Sequence, residues 1–254
     1  MIYFASDFHL GMPQGEVSMK REKKICEWLD KISNDASEIY LLGDLFDFWF
    51  EYKTVVPRGY VRFLGKLAEL TDKGIKIYVC VGNHDLWMRS YLEEECGVVI
   101  FKDPMIKKFG PKTFYLHHGD GLGPGDKGYK FLKKIFLSPI NQFLFERLHP
   151  NFAFKLANGF SKKSRLAQPE WEKAYQGEKN EYLTLHCLEI LKSQAIDFFI
   201  FGHRHLKINV ELENSNLATQ NDSRQKSRYI NLGEWFSGGG YAKFDGTDLV
   251  FHDL

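Results

Sequence analysis

The residues best suited to chemistry in this chain share one placement, immediately after a short apolar run. Asp7 and His9 follow Ile2–Ala5, and Asp44 and Asp47 follow the run that ends at Gly43. Asn83 and His84 follow a third run and Gly82, His118 follows Thr113–Leu116, and His203 and His205 follow Ile196–Phe201 and Gly202. Carboxylates, an amide oxygen and imidazoles make a mixed oxygen and nitrogen donor set, suited to a transition metal. Residues at i and i+2 of extended chain project to one side, so Asp7 pairs with His9 and His203 with His205. Of the neighbours His117 and His118, only one can face a site; His118, beside Gly119, is expected to, with His117 packed or at the surface. Any one cluster is also ordinary turn chemistry, since glycine accepts positive φ and aspartate caps helices. Five in a chain exceed what capping explains. In α/β sheets ligands bind at the carboxyl ends of strands, which makes Asp44, directly after its glycine, the candidate centre.

The elements that would position these groups alternate. Ile2–Ser6, Ile39–Leu42, Ile75–Val81, Thr113–Leu116 and Ile196–Phe201 read as buried strands. Ile25, Trp28, Leu29 and Ile32 have helical spacing and predict a helix over Met19–Ile32. A second helix is expected over 57–73, opened by Pro57 and closed at Gly74. Tyr182–Leu191 reads as a further helix. The segments 208–212, 228–232, 241–244 and 249–251 read as an antiparallel region, with a polar loop over 214–226.

The chain of 254 residues, with 44% hydrophobic and 26% charged residues, can build one substantial core. A net charge of +1 gives no global footprint for nucleic acid. Cys26, Cys80, Cys96 and Cys187 form no CxxC pair and are expected to be reduced. The N-terminus lacks a basic flank or a cleavage site, and no apolar stretch reaches spanning length, so a cytoplasmic protein is expected. His149, His186 and His252 fall outside the strand-end pattern and are expected to be structural.

Residues 126–173 differ in character, with ten basic against four acidic residues and nine aromatics. Helical spacing appears over Tyr129–Leu137, Ile140–Leu148 and Phe152–Phe160. Such an insert is either a solvated helical subdomain or a lid that meets an amphiphile or an anionic membrane surface.

The ordered series DxH, GDxxD, GNHD, HGD and GHxH, from Asp7 to His205, resembles the calcineurin-like metallophosphoesterase superfamily. The resemblance implies a single domain over 1–254, a four-layer α/β/β/α sandwich with a helical cap inserted at 123–195. It also implies two divalent metal ions about 3.5 to 4 Å apart. Asp7, His9 and His205 would hold one and Asn83, His118 and His203 the other, with Asp44 bridging. Manganese is the expected metal, with iron or zinc as alternatives. His84, oriented by Asp47, would act on the leaving oxygen, and Asp85 and Asp120 would support the site or its turns.

Within the superfamily, Leu-Gly-Asp44-Leu-Phe-Asp-Phe-Trp49, His118-Gly-Asp120 followed by Asp126-Lys-Gly-Tyr129, Ser164-Arg165 and Asn231-Leu-Gly-Glu-Trp235 resemble the UDP-2,3-diacylglucosamine hydrolases of lipid A biosynthesis. That resemblance implies cleavage of a nucleotide-linked lipid to UMP and a lipid monophosphate at the inner membrane, bound peripherally, with Phe131, Phe136, Phe143 and Phe152 building an acyl groove. Asp126 and Ser164 match that family's substrate contacts in type. Gln168 stands where asparagine is usual, and His84 stands where well-known members often carry arginine. The alternatives are a phosphodiesterase for a soluble nucleotide, and a non-catalytic module. The latter would have lost ligands, and none is lost.

Overall fold

The computed structural model describes residues 1–125, 127–166, 174–213 and 226–254, without the side chains of residues 158, 160 and 162–166. In chain order the elements are β1 (Ile2–Ala5), α1 (Glu16–Ile32), β2 (Glu38–Leu42), α2 (Val61–Asp72), β3 (Lys76–Cys80), α3 (Tyr91–Cys96), β4 (Val99–Phe101), β5 (Met105–Phe109), β6 (Lys112–Leu116), α4 (Lys127–Leu137), α5 (Pro139–Glu146), α6 (Pro150–Leu166), α7 (Tyr182–Leu191), β7 (Phe198–Phe201), β8 (Lys207–Glu213), β9 (Lys226–Leu232), β10 (Gly240–Phe244) and β11 (Leu249–Asp253).

Alternation along the strands decides the layers, because successive side chains point to opposite faces. Tyr3, Ala5, Ile39, Leu41, Ile77 and Val79 form one core with Ile25, Trp28 and Leu29 of α1 and Phe63 and Leu67 of α2. The intervening Phe4, Tyr40, Leu42 and Cys80 face the other way and meet Phe114, Leu116, Phe198, Ile200, Ile230 and Leu232 of the second sheet. On that sheet's far face Tyr115, Phe199, Phe201 and Tyr229 pack on Leu183, Cys187 and Leu191 of α7. Four layers, α/β/β/α, follow, as expected.

The first sheet runs β11-β10-β1-β2-β3-β4 and the second β5-β6-β7-β9-β8. Within them β1 to β4 are mutually parallel, and so are β6, β7 and β9. Parallel neighbours end on the same side, which brings the loops after β1, β2 and β3 together in one sheet and those after β6 and β7 together in the other. The C-terminal strands divide: β8 pairs antiparallel with β9 in the second sheet, while β10 and β11 return beside β1 in the first.

Two expected helix starts are corrected. Helix α1 begins at Glu16, earlier than the apolar stripe. Helix α2 begins at Val61 and not at Pro57, because Tyr60 holds a left-handed conformation with φ 59° while its ring packs, tilted, against Phe46 at 4.9 Å. Within the segment expected as a cap, 123–195, α7 packs on the far face of the second sheet, and α4 to α6 precede it. Those helices are anchored by aromatic contacts to the loops after β2 and β3. Phe48 meets Phe154 at 5.0 Å, Trp87 meets Phe145 at 4.7 Å, and Trp87 Nε1 donates to the Phe136 carbonyl at 2.8 Å. Phe136 is therefore part of the anchor, not of an exposed groove.

Phe114 is fully buried between the sheets, stacked on Phe4 at 5.7 Å. Phe114→Ala is expected to cost about 3–5 kcal/mol of stability in urea unfolding, and Phe131→Ala on α4 less than about 0.5 kcal/mol, because only the first leaves a cavity.

Candidate metal centre

The loops after β1 and β2 extend the sheet before they diverge. Asp7 N donates to Gly43 O at 3.1 Å, His9 N to Asp44 O at 2.9 Å, and Asp47 N to Leu10 O at 2.9 Å. This lacing requires an unusual backbone. Asp7, His9, Asp44, His203 and His205 all have positive φ, between 44° and 69°. Left-handed non-glycine residues cost energy and persist where surrounding structure over-determines them, typically at functional sites. Close approach also fixes two glycines: a Cβ on Gly82 would collide with the Asp44 backbone and carboxylate, and one on Gly202 with Ser6 and Asp7.

The side chains converge. His9 Nε2 lies 3.0 Å from His205 Nε2 and 3.6 Å from both Asp7 Oδ1 and Asp44 Oδ2, and His205 Nε2 lies 3.2 Å from Asp7 Oδ1. His118 Nε2 lies 3.3 Å from Asp44 Oδ2 and 3.0 Å from Asn83 Oδ1. The Leu42 carbonyl accepts from His118 Nδ1 at 2.8 Å, which leaves Nε2 as the free donor atom. Asp7, His9, Asp44 and His205 form one group able to hold a cation, and Asp44, His118 and His203 a second, with Asp44 common to both.

The donor set fits divalent metal on grounds internal to this structure. Among the described residues, Asp44 Oδ2 and His9 Nδ1 are buried without a hydrogen-bond partner of good geometry. Imidazole nitrogens turned toward one another at 3.0 Å beside two buried carboxylates are the arrangement a cation relieves. Burial by itself would lift the Asp7 carboxyl, but hydrogen bonds from His205 and His9 outweigh it and hold the group far below its usual range. Burial likewise opposes the Asp44 charge, and the His118 and His84 imidazoles overcome it. Burial disfavours charge on His9 and His118, yet Asp47 and Asp7 raise His9 to about 9, and Asp44 raises His118 to about 10. Burial and the adjacent His118 depress His203 to about 3.

His84 has a different environment. Its Nδ1 faces the backbone carbonyl of Asp47 at 2.9 Å, while the Asp47 carboxylate stands farther off at 3.7 Å and lies 3.6 Å from His9 Nδ1. The expected Asp47–His84 pairing is thus carried first by the main chain. Burial lowers the His84 pKa, so the ring is neutral at pH 7 with Nε2 as its free nitrogen. Asp85 is fully buried and accepts from Leu45 N and Gly82 N, tying the β2 loop to the β3 loop. Asp120 accepts from Tyr129 and Lys133, both at 2.6 Å, joining α4 to the loop after β6. His117 accepts from Gly119 N at 2.9 Å and stays outside the cluster, and His186 pairs with the Tyr115 hydroxyl.

Asp126 and Gln168 lie outside the described residues, as does the side chain of Ser164, which falls on α6. One turn earlier, Ser161 Oγ lies 3.3 Å from Asp47 Oδ2 and 3.4 Å from His84 Nδ1. Sequence reading missed it because the Ser-Arg motif drew attention to its i+3 neighbour. Arg21 was also missed: buried on α1, it donates to the His9 and Met12 carbonyls and covers the ring of Phe236, which stacks on His9 at 5.2 Å. A charge four residues before Ile25, inside the apolar stripe, was the available signal. An open hollow of about 670 Å³ beside α7, lined by Gly123, Pro124, Leu185, His186, Leu188, Glu189 and Lys192, contains none of the ligand cluster.

The model of the calcineurin-like phosphoesterase family matches residues 1–207. The chain belongs to that family. This phosphoesterase is 36% identical to a Porphyromonas gingivalis protein named UDP-2,3-diacylglucosamine hydrolase, over 100% of its own length and 97% of that protein. It is 28% identical to a protein of the same name from Hamiltonella defensa, over 98% and 94% of the two chains. A solved phosphoesterase from E. coli, Yfce, overlays with a TM-score of 0.41 at 15% identity, covering 95% of this chain and 86% of that one. The family uses divalent metals, and this member has the groups to hold them.

His9 and His118 are held protonated by the carboxylates in the metal-stripped phosphoesterase and must be neutral to ligate. Loading at pH 7 should therefore release about two protons per chain, measured by calorimetry in buffers of different ionisation enthalpy. Both imidazoles are raised above the unfolded value near 6.5, so their stabilisation is complete below that pH. It is lost as pH climbs through about 9 to 10. The chelated protein's Tm should fall over this range, and that of the loaded protein should change little.

Proposed function

We propose that the phosphoesterase hydrolyses the pyrophosphate of UDP-2,3-diacylglucosamine, giving UMP and 2,3-diacylglucosamine 1-phosphate, with two Mn²⁺ ions as the working metals. The observation that carries the reading is the outward face of α4 to α6. Phe131 is 67% exposed and Ile140 71%, and Phe143, Leu144 and Phe152 are also exposed, while the same helices are anchored on the loops that bear Asp47 and His84. A soluble substrate gives no reason to keep such a face beside a phosphoester site; acyl chains do, at about 0.8 kcal/mol per buried methylene. The names of the full-length relatives agree with it.

In this reading Asp7, His9 and His205 hold one ion, Asn83, His118 and His203 the other, and Asp44 both. When bound, the ions supply Lewis-acid activation of water and neutralise charge gathering on the phosphoryl oxygens. The protein's own residues do the rest. The Asp47 carbonyl holds His84 by Nδ1, so Nε2 is the nitrogen offered to the substrate. The negative charge of an arriving pyrophosphate favours uptake of a proton from solvent at Nε2, and Nε2–H would then hydrogen-bond the leaving oxygen and deliver that proton to it as the P–O bond breaks, returning the ring to neutral. Ser161, reaching from α6 to Asp47 and His84, joins the helical insertion to this pair.

No described helix is long and apolar enough to cross a membrane. The proposed location is the cytoplasmic face of the inner membrane, held peripherally by α4 to α6. Lys127, Lys130, Lys134, Arg147 and Lys155 accompany the apolar residues there. A basic residue near an anionic surface contributes about 1 kcal/mol.

With Mn²⁺ and dispersed UDP-2,3-diacylglucosamine, release of UMP should be lost by at least about 100-fold in Asp44→Ala, with a matching loss of bound metal. His84→Gln should lower kcat by about 10² to 10⁴ while retaining both ions. The double change Phe131→Glu with Ile140→Glu should raise KM for the diacyl substrate and leave turnover of a chromogenic phosphodiester unchanged. Hydrolysis of that diester alone, with the lipid nucleotide untouched, would overturn the substrate assignment and leave the metal centre standing.

A further inference from the structure

We propose that the buried ion pair between Arg204 and Glu181 is a positioning device for the metal ligands on either side of Arg204, an inference that rests on the metal reading above. Arg204 separates His203 and His205, both of which hold positive φ, at 69° and 53°. On its amino side the loop is well fixed: His203 N donates to the Asp7 carboxylate at 3.1 and 3.2 Å, and Asn231 Nδ2 donates to Gly202 O. On its carboxyl side His205 is the less enclosed ligand, with its side chain 26% exposed where those of His9 and His118 are fully buried. A residue in a strained conformation persists only where the surrounding structure over-determines it.

Arg204 supplies that hold by leaving the cluster on another course. Its Nε donates to Glu181 Oε1 at 2.8 Å, and Nη2 donates to Glu181 Oε2 at 3.2 Å and to the Ala174 carbonyl at 3.2 Å. Both side chains of the pair are essentially enclosed, 5% and 0% exposed. Glu181 is itself fixed as the residue that opens α7, its N–H donating to Gly177 O at 2.9 Å and its carbonyl accepting from Leu185 N at 3.0 Å. The planar guanidinium fork sets orientation as well as distance, which a lysine cannot reproduce. Through it, the segment returning from the helical insertion is tied to the loop bearing two metal ligands. The pair acts on the two histidines through the backbone that they share with Arg204, so its loss is read as weaker metal binding.

Removing one member alone would strand a buried charge and confuse positioning with folding. The test therefore compares the intact protein with Arg204→Lys, which keeps the charge and loses the fork, and with the apolar pair Arg204→Met, Glu181→Leu. Mn²⁺ binding is titrated by electron paramagnetic resonance, and Tm is measured in chelator. The intact chain should bind two ions; Arg204→Lys should weaken at least one of them several-fold, and the apolar pair about tenfold or more, with Tm in chelator near that of the intact chain. Unchanged Mn²⁺ affinity in either folded variant would overturn the positioning role while leaving the metal reading intact. Failure of the intact chain to bind Mn²⁺ would remove both.

Discussion

Asp7 and Asp44 are carboxylates with almost no contact with solvent, set among imidazoles at the meeting of two sheets. Charges in such a place are costly unless opposite charge stands beside them, and nearly everything else about this end of the molecule follows from meeting that condition. In the protein alone, protons on His9 and His118 supply the compensation, which is why both are drawn so far above an ordinary imidazole. Divalent cations supply it more completely, because they also satisfy the buried Asp44 Oδ2, which has no hydrogen-bond partner of good geometry among the described residues. The left-handed backbone at five ligand positions and the absence of a Cβ at Gly82 and Gly202 are what it takes to bring these groups so close.

That convergence depends in turn on the layers. Parallel strands deliver their following loops to one end, and two sheets packed through Phe4, Tyr40, Phe114 and Ile200 set those ends against each other. A parallel connection cannot be a hairpin and needs a crossover long enough to carry a helix. Between β6 and β7 that crossover helix is α7, with Leu183 and Leu191 in the outer core. The helices α4 to α6 lie in the early part of the same connection. On the proposed reading their surface serves the substrate.

The groups that converge were legible as candidate ligands because each is recorded locally, as a residue type at a strand end, and the four layers were legible because alternation records both faces of a strand. What remained hidden has no local record. Hairpins β8–β9 and β10–β11 read alike in sequence, and only packing sends one to each sheet. The start of α2 is decided by Tyr60, whose ring contact with Phe46 holds a conformation that its residue type does not favour. The nearest group to His84 Nδ1 is a carbonyl, and main-chain groups leave no mark in sequence, so the Asp47 side chain took the role instead. Arg204 has no such local record, since its partner is 23 residues away.

On the proposed reading, the division between buried ligands and exposed insertion is also a division of energetic labour. The ligand cluster meets a phosphoryl group, which every phosphoester presents, and cannot distinguish one substrate from another. Selectivity must come from surface the reacting group does not touch, spent on holding the substrate in place for reaction. Burying a few methylenes against residues such as Phe131, Ile140 and Leu144 is worth several kcal/mol at about 0.8 kcal/mol each, enough to separate a diacyl nucleotide from a soluble one by orders of magnitude. That binding becomes catalysis only if the insertion is held firmly relative to the site. The aromatic anchor at Phe48 and Trp87 and the Ser161 hydroxyl beside His84 are two independent ties between them. An insertion that served only as a structural cap would need the first of these and not the second.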